Sequence, residues 1–417
     1  MKINIRHISN TFNNGSFMMA IVTIKAINKS IQDVKFYVDA SSDKDLERLK
    51  DETGVENIIR YNIEYRKDFF RRCINKLKRM ILNRIVNKID DVIIIGGDDI
   101  SEYYSIKGLE KELAKLKEES KNKNIILLGQ TLGPFTQGRG ELARLSLKNA
   151  KIYTRDDKCL EYLLDLGFKN AKFGRDLAFS ELPMQYKAKN ILDKYELEAN
   201  GYVTIVTSGL IECYTNEFDK YIEEQVNIIK KVLINDKLKD KKVVLLPHVT
   251  RPKDNDDRGV IKEILNRLEI IYQKRITAIY DELLASAARE ILGNGLFTIT
   301  GRMHAAISTL YMRKPTITLS YSVKYEGVIS RGMDMKELVI ECTDEELWGS
   351  GKISELVDEK VNYILENYDN LIKKIDIKVS EASKIVQDQL NEVSDNIKFR
   401  KNQKSKANIN NSEFSVE

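Results

Sequence analysis

Residues 298–308 read TITGRMHAAIS, an apolar run that stops at Gly301 and continues as a helix-like stretch. This order predicts a buried strand that turns directly into a helix, the repeating unit of an α/β fold. Arg302 and His304 lie at the turn, and His304 is one of three histidines in the chain. A lone histidine is more often structural, but an arginine beside it at a loop-to-helix junction, where anions bind, favours a functional role.

The same strand-then-helix order recurs along the chain. Apolar runs predict strands at residues 2–6, 34–38, 92–95, 125–128, 151–154, 202–206, 243–247, 290–292, 296–299 and 316–319. Helix-like stretches lie near residues 17–29, 43–52, 69–88, 106–120, 139–149, 217–236, 257–270, 281–288, 303–312 and 354–366. Strands without polar alternation, interleaved with helices, indicate parallel sheets that are covered on both faces.

With 417 residues, the chain is too long for one ordinary core. The alternation breaks at residues 181–198, which contain a proline and end in a charged run. We therefore predict an α/β fold of two Rossmann-like domains whose parallel sheets face each other across a cleft. The predicted parts are an N-terminal domain at 1–185, a linker at 186–198, a C-terminal domain at 199–345, helices at 346–394 that pack back on the first domain, and a disordered tail at 395–417.

The composition is that of a folded protein, with 42% apolar and 31% charged residues. Its net charge of +5 is too small for this length to indicate a nucleic-acid partner. The first residues lack a secretory signal pattern, and no apolar run approaches the roughly 18–20 residues that span a bilayer. The four cysteines are scattered, which argues against a zinc site or a disulfide framework. We expect a cytoplasmic protein without a metal.

Residues 66–88, RKDFFRRCINKLKRMILNRIVNK, concentrate positive charge in one segment. Apolar residues recur there at near-helical spacing, with Arg and Lys on other faces. One interpretation is a helix that faces the core and has a solvated basic side, and we favour it slightly. The other is attachment to the inner face of an anionic membrane.

Ligands of open α/β sheets bind beyond the carboxyl ends of the strands. After the first strand, the sequence Asn13-Asn14-Gly15-Ser16 leads into a helix, which describes either an anion-ready helix N-terminus or an ordinary capped turn. The stretch VIIIGGDDIS at 92–101 places Gly97, Asp98 and Asp99 at a strand end, where the carboxylates would bind sugar hydroxyls or cap a helix. It matches neither a Walker loop nor G-x-G-x-x-G.

Three further strand ends carry polar residues. GQTLGPF at 129–135 contains Gln130 and Thr131, and TRDD at 154–157 exposes Arg155, which binds either an anionic ligand or a neighbouring aspartate. LLPHV at 245–249 brings His248 to a strand end in the second half. His7, at the end of the first strand, has the weakest case for function.

In their order along the chain, these motifs resemble the polysaccharide pyruvyl transferase family from about residue 3 to 330. GRMHAAIS is the most specific piece. The others are similar to the family's series as well: Asn14-Gly15-Ser16, GGDD, GQTLGPF, TRDD, LLDLGF, GRDLAF at 174–179, LLPH with Asp256 or Asp257, and KPTITLSYSVK at 314–324. Two positions depart from the family pattern, because Asp98 stands where a glycine is usual and Thr131 replaces a serine.

The resemblance implies a two-domain GT-B-like fold with the active site in the cleft. It implies transfer of a pyruvyl group from phosphoenolpyruvate to hydroxyls of a sugar, in a cell-surface glycan or its lipid-linked precursor, with no cofactor beyond the donor. His304 and Arg302 take the catalytic roles, and the expected donor contacts are Arg155, Arg302, Gly301 and His248. The N-terminal domain provides the acceptor side, with Asn14, Gly15, Ser16, Gly97, Asp98, Asp99, Gln130 and Thr131.

The residues fit this chemistry, because arginines and helix N-termini hold phosphate and carboxylate, and a histidine can supply a proton near neutral pH. Two alternatives remain open at this point. A GT-B glycosyltransferase would use the same Arg and His for the diphosphate of a nucleotide sugar. A glycan-binding protein that kept the fold would bind without releasing phosphate.

Overall fold

The structure, a computed structural model of the chain, describes residues 1–62 and 69–413, with side chains described for 1–62 and 75–403. Its first sheet has seven parallel strands in the order β3-β2-β1-β4-β5-β6-β7. These strands are β1 (Lys2–Arg6), β2 (Lys35–Val38), β3 (Ile58–Arg60), β4 (Asp91–Ile95), β5 (Asn124–Gln130), β6 (Lys151–Thr154) and β7 (Ala171–Lys172).

The second sheet has six parallel strands in the order β10-β9-β8-β11-β12-β13. They are β8 (Tyr202–Val206), β9 (Lys242–Leu245), β10 (Ile276–Ala278), β11 (Thr298–Thr300), β12 (Thr316–Ser320) and β13 (Val339–Glu341). Strands β4, β5, β8 and β12 are buried along their whole length, which explains the consecutive apolar residues in β4, β5 and β8. The predicted pair of parallel α/β domains is confirmed.

Helices connect the strands and cover the sheets. They are α1 (Asn14–Ser30), α2 (Asp43–Thr53), α3 (Phe69–Asn87), α4 (Ile106–Glu119), α5 (Arg139–Ser146), α6 (Asp157–Asp165), α7 (Ile191–Lys194), α8 (Phe218–Ile234), α9 (Asp257–Arg267), α10 (Ile270–Gln273), α11 (Ala285–Asn294), α12 (Met303–Tyr311), α13 (Val323–Tyr325) and α14 (Lys352–Glu413). Within the described ranges, none of these helices is long and apolar enough to cross a membrane.

The strand predicted at 290–292 is wrong, because these residues lie in α11. Ile291 and Leu292 are buried together with Ala285 and Ala288, and this spacing matches the inner face of a helix. The prediction also missed β3, β7, β10 and β13, each of two or three residues at or beside a sheet edge. Such short runs give too little periodicity to separate them from loops.

The tail expected to be disordered from residue 395 is instead helical as far as Glu413, and residues 414–417 lie outside the described residues. Helix α14 changes direction at Asn367, whose backbone is non-helical, and its second half carries a buried stripe at helical spacing. The stripe comprises Ile375, Val379, Ala382, Val386, Leu390, Val393 and Ile397. It explains why the helix continues, because these side chains need a partner surface.

That partner surface includes the first domain. The Gln389 Oε1 accepts a hydrogen bond of 3.2 Å from the Arg175 backbone N–H, and Asn124 Nδ2 donates to Asn396 Oδ1 at 3.2 Å. The first half of α14 instead contacts α8, which covers the second sheet. The long helix therefore connects both halves of the chain.

The two halves meet directly at the carboxyl edges of their sheets. An antiparallel bridge joins Asn13 to Val249, and the Asn14 N–H donates to the His248 carbonyl at 3.1 Å. Each sheet reverses its strand order at one place, between β1 and β4 and between β8 and β11. These two switch points face the cleft, where open α/β sheets bind ligands.

Candidate active site

A cavity of about 160 Å³ lies between the two carboxyl edges. Strand ends and helix starts of both sheets contribute to its wall, so neither half forms it alone. The lining residues on the first side are Asn13, Ser16, Met19, Gly97, Asp98, Asp99, Tyr104 and Arg155. Those on the second side are Leu210, His248, Val249, Arg302, Met303, His304, Tyr321 and Lys324.

Arg302 is the residue just before α12 and is held by the buried Asp257. Its Nε and Nη2 donate to Asp257 Oδ1 at 3.2 and 2.6 Å, and Nη2 also donates to the Asn255 carbonyl at 3.0 Å. Burial acts to lower the pKa of Arg302, but Asp257 outweighs it and raises that pKa above its ordinary value. The guanidinium is therefore a fixed positive charge in the cavity wall.

Asp257 also organises the neighbouring loops. Its Oδ2 accepts from the backbone N–H groups of His248 and Val249, both at 2.9 Å, and its Oδ1 accepts from the Gly209 N–H at 2.8 Å. One buried carboxylate thus ties the ends of β8 and β9 to Arg302.

Gly301 differs from its predicted role in donor binding, because it does not line the cavity. Its carbonyl accepts hydrogen bonds from the hydroxyls of Tyr214 at 2.7 Å and Tyr325 at 2.6 Å. A Cβ at this position would lie 2.5 Å from the Tyr214 hydroxyl. The glycine is required because the two tyrosines pack against the backbone that presents Arg302.

His304 lies in the first turn of α12 and faces Asp176 from the other half of the chain. The distance from His304 Nε2 to Asp176 Oδ2 is 3.3 Å, within ion-pair range but without hydrogen-bond alignment. Asp176 is fully buried, which acts to raise its pKa, yet the charges of His304 and Arg155 outweigh burial and lower it to about 2. This carboxylate is therefore ionised at working pH and places a negative charge beside the His304 ring.

Gly15, in the first turn of α1, packs against the other side of the His304 ring. A Cβ on Gly15 would lie 2.3 Å from His304 Nδ1. Gly15 of the predicted glycine loop thus gives room to the histidine ring.

Arg155 follows β6 and is 1% exposed, so its guanidinium is enclosed by protein. The Nε donates to Thr131 Oγ1 at 2.6 Å, and Nη1 lies 3.6 Å from Asp176 Oδ2. The Nη2 is buried without a hydrogen-bond partner among the described residues. A buried donor without a partner is costly, which suits a site whose anionic ligand completes the bonding.

Lys324 adds a third positive charge that the sequence prediction did not assign. Its Nζ lies 3.2 Å from Asp98 Oδ2, across the cleft, and donates to the Tyr321 hydroxyl at 2.8 Å. Burial acts to raise the pKa of Asp98, but Lys324, Arg155 and the Tyr104 hydroxyl lower it to about 2. Asp98 and Lys324 therefore form an ion pair that joins the two halves at the cavity.

His248 lines the cavity as predicted, but it is 2% exposed. Burial and the charges of His304 and Arg302 lower the pKa of His248 well below its ordinary value. The neutral ring is unsuited to act as a general acid, so His304 is the better candidate.

The residues predicted on the acceptor side divide into two groups. Ser16, Gly97, Asp98 and Asp99 line the cavity. Asn13 lines it as well, whereas the side chain of the predicted Asn14 is buried and does not line it. Gln130 and Thr131 lie behind Arg155, outside the cavity lining. The Gln130 Nε2 donates to the Ile94 carbonyl at 3.0 Å, and the Gln130 backbone carbonyl accepts from the Arg155 backbone N–H at 3.0 Å.

The cavity therefore presents three cations, each beside one carboxylate: Arg155 with Asp176, Arg302 with Asp257, and Lys324 with Asp98. This arrangement can hold a small anion next to a histidine. No three His, Cys, Asp or Glu side chains in the described part of the chain are grouped as a metal site.

Two parallel sheets that face each other across a cleft define the chain as a protein of the GT-B-like class. Its structural neighbours include S. aureus MnaA with UDP (15% identity, 96% of this chain and 96% of that chain, TM-score 0.58). A UDP-GlcNAc 2-epimerase from Neisseria meningitidis bound to UDP-GlcNAc has 13% identity over 94% of this chain and 100% of that chain, with a TM-score of 0.57. At these identities the likeness shows the fold alone.

The E. coli ADP-heptose lps heptosyltransferase II shares the fold as well, with 13% identity, 88% of this chain and 100% of that chain covered, and a TM-score of 0.51. No curated protein sequence matches the chain. The polysaccharide pyruvyl transferase profile matches residues 15–323, which is most of the chain. The chain therefore belongs to the polysaccharide pyruvyl transferase family and is a transferase.

Proposed function

We propose that this transferase moves a pyruvyl group from phosphoenolpyruvate to two hydroxyls of one sugar, in a cell-surface glycan or its lipid-linked precursor. The reaction forms a pyruvate ketal and releases phosphate. The observation that carries the proposal is the cavity itself, which combines Arg155, Arg302 and Lys324 with His304 in a small volume. Phosphoenolpyruvate carries a phosphate and a carboxylate, and such groups are bound by cationic side chains.

The unpartnered Nη2 of Arg155 and the guanidinium of Arg302 are the proposed donor contacts. The donor then bridges both halves of the chain, since Arg155 follows β6 and Arg302 follows β11. This refines the expected division into an acceptor half and a donor half. The uncharged ring of His248 lines the cavity beside the proposed donor.

His304 is the proposed general acid. It protonates the methylene carbon while one sugar hydroxyl forms a bond to C2 and loses its proton, which restores the histidine. The bond from C2 to the phosphate oxygen then breaks, and the second hydroxyl closes the ketal as its proton leaves with the phosphate. Asp176 faces Nε2 of the proposed acid, and Arg302 and Arg155 stabilise the leaving phosphate.

A glycosyltransferase with a nucleotide-sugar donor is the second candidate, because its class shares the fold. The cavity by itself suits the smaller donor, because its volume of about 160 Å³ falls below the roughly 300–1,000 Å³ of pockets that hold drug-sized ligands. A nucleotide sugar would have to extend into the adjoining space beside Asp39 and Asp99.

Calorimetric titration of the purified protein with phosphoenolpyruvate, UDP-N-acetylglucosamine and ADP-heptose tests the proposal. We expect saturable binding of phosphoenolpyruvate, weakened about tenfold or more in Arg155→Lys, which keeps the charge and loses the fork of donors. Binding of a nucleotide sugar alone would move the assignment to a glycosyltransferase. Release of phosphate in the presence of an acceptor separates the enzyme from a glycan-binding protein.

The basic helix supports a further part of the proposal, a peripheral contact with a membrane that carries the lipid-linked acceptor. Residues 66–68 of the basic segment lie outside the described residues, but α3 shows two distinct faces. Val86 packs with Tyr37 and Ile89 against the first sheet. On the opposite face, Leu77, Met80 and Ile81 are 60%, 62% and 53% exposed.

Exposed cations flank this apolar face, with Lys76 and Lys78 beside it, Arg84 further along α3 and Lys88 just after its end. Helix α3 begins on the side of the first sheet where the strands end, which is also the side of the cleft. An apolar surface within a basic rim is typical of helices that lie on anionic bilayers. Contact there would bring a lipid-linked sugar to the cleft.

A further inference from the structure

A second cavity, of about 390 Å³, adjoins the one described above. Three residues, Asn13, Ser16 and Asp99, line both cavities. The full lining of the second cavity is His7, Ser9, Asn10, Asn13, Ser16, Asp39 and Asp99. A ligand in the second cavity would therefore lie directly beside a ligand in the first.

The second cavity lies at the switch point of the first sheet. His7 follows β1, Asp99 follows β4, and these two strands are neighbours at the place where the strand order reverses. Asp39 follows β2 on the other side of β1. The crevice at a switch point is where open α/β sheets bind their ligands, yet the donor cavity occupies only one side of it.

The two cavities differ in their cations. Arg155, Arg302 and Lys324 line the first together with Asp98 and Asp99, whereas no Arg or Lys of the described residues lines the second, which has the carboxylates of Asp39 and Asp99. The second cavity therefore disfavours a phosphate or carboxylate. Carboxylates, amides and serine hydroxyls suit a neutral ligand that offers many hydroxyl groups.

The local structure positions the Asp99 carboxylate and leaves it accessible to such a ligand. The Asp39 carboxylate accepts from the backbone N–H groups of His7 at 2.9 Å and Ile8 at 2.8 Å, which fixes His7 in a left-handed conformation with a φ of 68°. The His7 Nδ1 is then 3.4 Å from Asp99 Oδ2. The Asp99 side chain is still 56% exposed, so its oxygens remain accessible from the cavity.

We propose that the second cavity is the subsite for the acceptor sugar, in which Asp99 accepts hydrogen bonds from the sugar hydroxyls and His7 positions Asp99. The proposal rests on the function proposed above. It extends the acceptor side to His7, Ser9, Asn10 and Asp39, and it assigns the substrate class of this pocket as a neutral pyranose. Because Asp99 lines both cavities, a hydroxyl bound to it lies next to the donor.

Saturation-transfer NMR tests this subsite without knowledge of the natural acceptor. The probes are the methyl glycosides of galactose, glucose, mannose, N-acetylglucosamine and N-acetylmannosamine, each with and without phosphoenolpyruvate. We expect at least one glycoside to bind, with its affinity lowered about tenfold in Asp99→Asn, as for the loss of a hydrogen bond to a charged group. His7→Gln should weaken the same glycoside, and Ser9→Tyr should block it by filling the exposed mouth of the cavity.

Asp240→Asn, an exposed aspartate of the second half, is the matched control and should leave binding unchanged. The absence of any glycoside signal, or a signal that Asp99→Asn and Ser9→Tyr both leave intact, would overturn the subsite. Titration of each variant with phosphoenolpyruvate separates the two proposals. Asp99→Asn should bind this anion no more weakly than the wild type. Glycoside binding through Asp99 without any phosphoenolpyruvate binding would reject the donor but retain the subsite.

Discussion

Asp176 and His304 belong to different halves of the chain, and their Oδ2 and Nε2 atoms lie 3.3 Å apart. Asp176 follows the first sheet, whereas His304 begins the helix after β11 of the second. The proposed acid is therefore supported by a carboxylate that it meets only when the two halves are docked. The same carboxylate lies 3.6 Å from Arg155 Nη1, so one buried charge supports both the proposed acid and a proposed donor contact.

Replacement of the proposed acid is the first prediction. His304→Gln should lower kcat by roughly 10²–10⁴-fold, the usual contribution of general acid catalysis, because glutamine cannot deliver a proton to carbon. Affinity for phosphoenolpyruvate should change little, since the cations remain. Steady-state phosphate release and calorimetry measure the two quantities. Turnover near the wild-type value would remove His304 from the mechanism.

Asp176 acts through His304, so its replacement should lower kcat less than replacement of His304 itself. Asp176→Asn removes the charge that faces His304 Nε2, and we expect kcat to fall roughly 10–100-fold. Steady-state phosphate release and urea unfolding measure the activity and the stability of this variant. An unchanged kcat would show that His304 does not depend on Asp176.

The close packing of Gly15 against the His304 ring gives the third prediction. In Gly15→Ala, the new methyl group would lie 2.3 Å from His304 Nδ1, so the ring must move. We expect kcat to fall roughly 10–100-fold, since small displacements of catalytic groups are costly, with a stability loss of about 1–3 kcal/mol from overpacking. Kinetic assays and urea unfolding measure both.

Gly259→Ala is the matched control, because Gly259 also lies in the first turn of a helix and a Cβ there meets no atom within 4 Å. This variant should keep full activity and gain up to about 1 kcal/mol from better helix propensity. Equal effects of the two substitutions would show that the loss in Gly15→Ala does not come from His304.

The sequence alone predicts the two parallel sheets, since buried strands with uninterrupted apolar residues alternate with helices. It also predicts that Arg302 and His304 share a site, because they are two residues apart at a strand end. The partners of these residues are harder to find. Asp176 and Asp257 lie in the motifs GRDLAF and DNDDRG, but their pairing with His304 and Arg302 depends on how distant strands are arranged.

Lys324 is a residue that sequence reasoning missed, although it ends the quoted stretch KPTITLSYSVK. A lysine after a strand is usually a solvated charge, and its approach to Asp98 requires that the two sheets face each other at a particular distance. Gly301 and Gln130, which were predicted to bind substrate, do not line the cavity. Both stand at strand ends, but their contacts are with Tyr214 and the Ile94 carbonyl inside the protein.

The Asp98–Lys324 ion pair predicts how stability depends on pH. The folded-state pKa of Asp98 is about 2, below the value of about 3.9 in an unfolded chain. Its contribution is therefore fully present above about pH 4 and is lost as the pH falls toward 2. Asp98→Asn should lower the free energy of unfolding at pH 7 by about 1–2 kcal/mol. In this variant the free energy of unfolding should also decline less steeply as the pH falls below about 4.

Urea unfolding at a series of pH values measures this dependence. Asp240→Asn, which alters an exposed carboxylate, should follow the wild-type curve. If the free energy of unfolding of Asp98→Asn declined as steeply with falling pH as that of the wild type, the Asp98–Lys324 ion pair would not form in solution.

The exposed face of α3 gives the last prediction, on association with membranes. The wild-type protein should sediment with vesicles that contain phosphatidylglycerol and much less with pure phosphatidylcholine. Because each basic residue near an anionic surface contributes about 1 kcal/mol, Lys76→Gln with Lys78→Gln should weaken binding tenfold or more. Leu77→Ser with Ile81→Ser should weaken it through loss of the apolar contact.

The chain offers a matched control on the second half, because Ile270 and Ile271 of α10 are 76% and 72% exposed. Ile270→Ser with Ile271→Ser removes as much exposed apolar surface but leaves α3 intact, so binding to the anionic vesicles should remain. If this control lost binding as strongly as the α3 variant, the contact would be non-specific. If the wild-type protein did not bind the anionic vesicles, the apolar face of α3 would need a partner other than a membrane. The proposal of a lipid-linked acceptor would then lose its support.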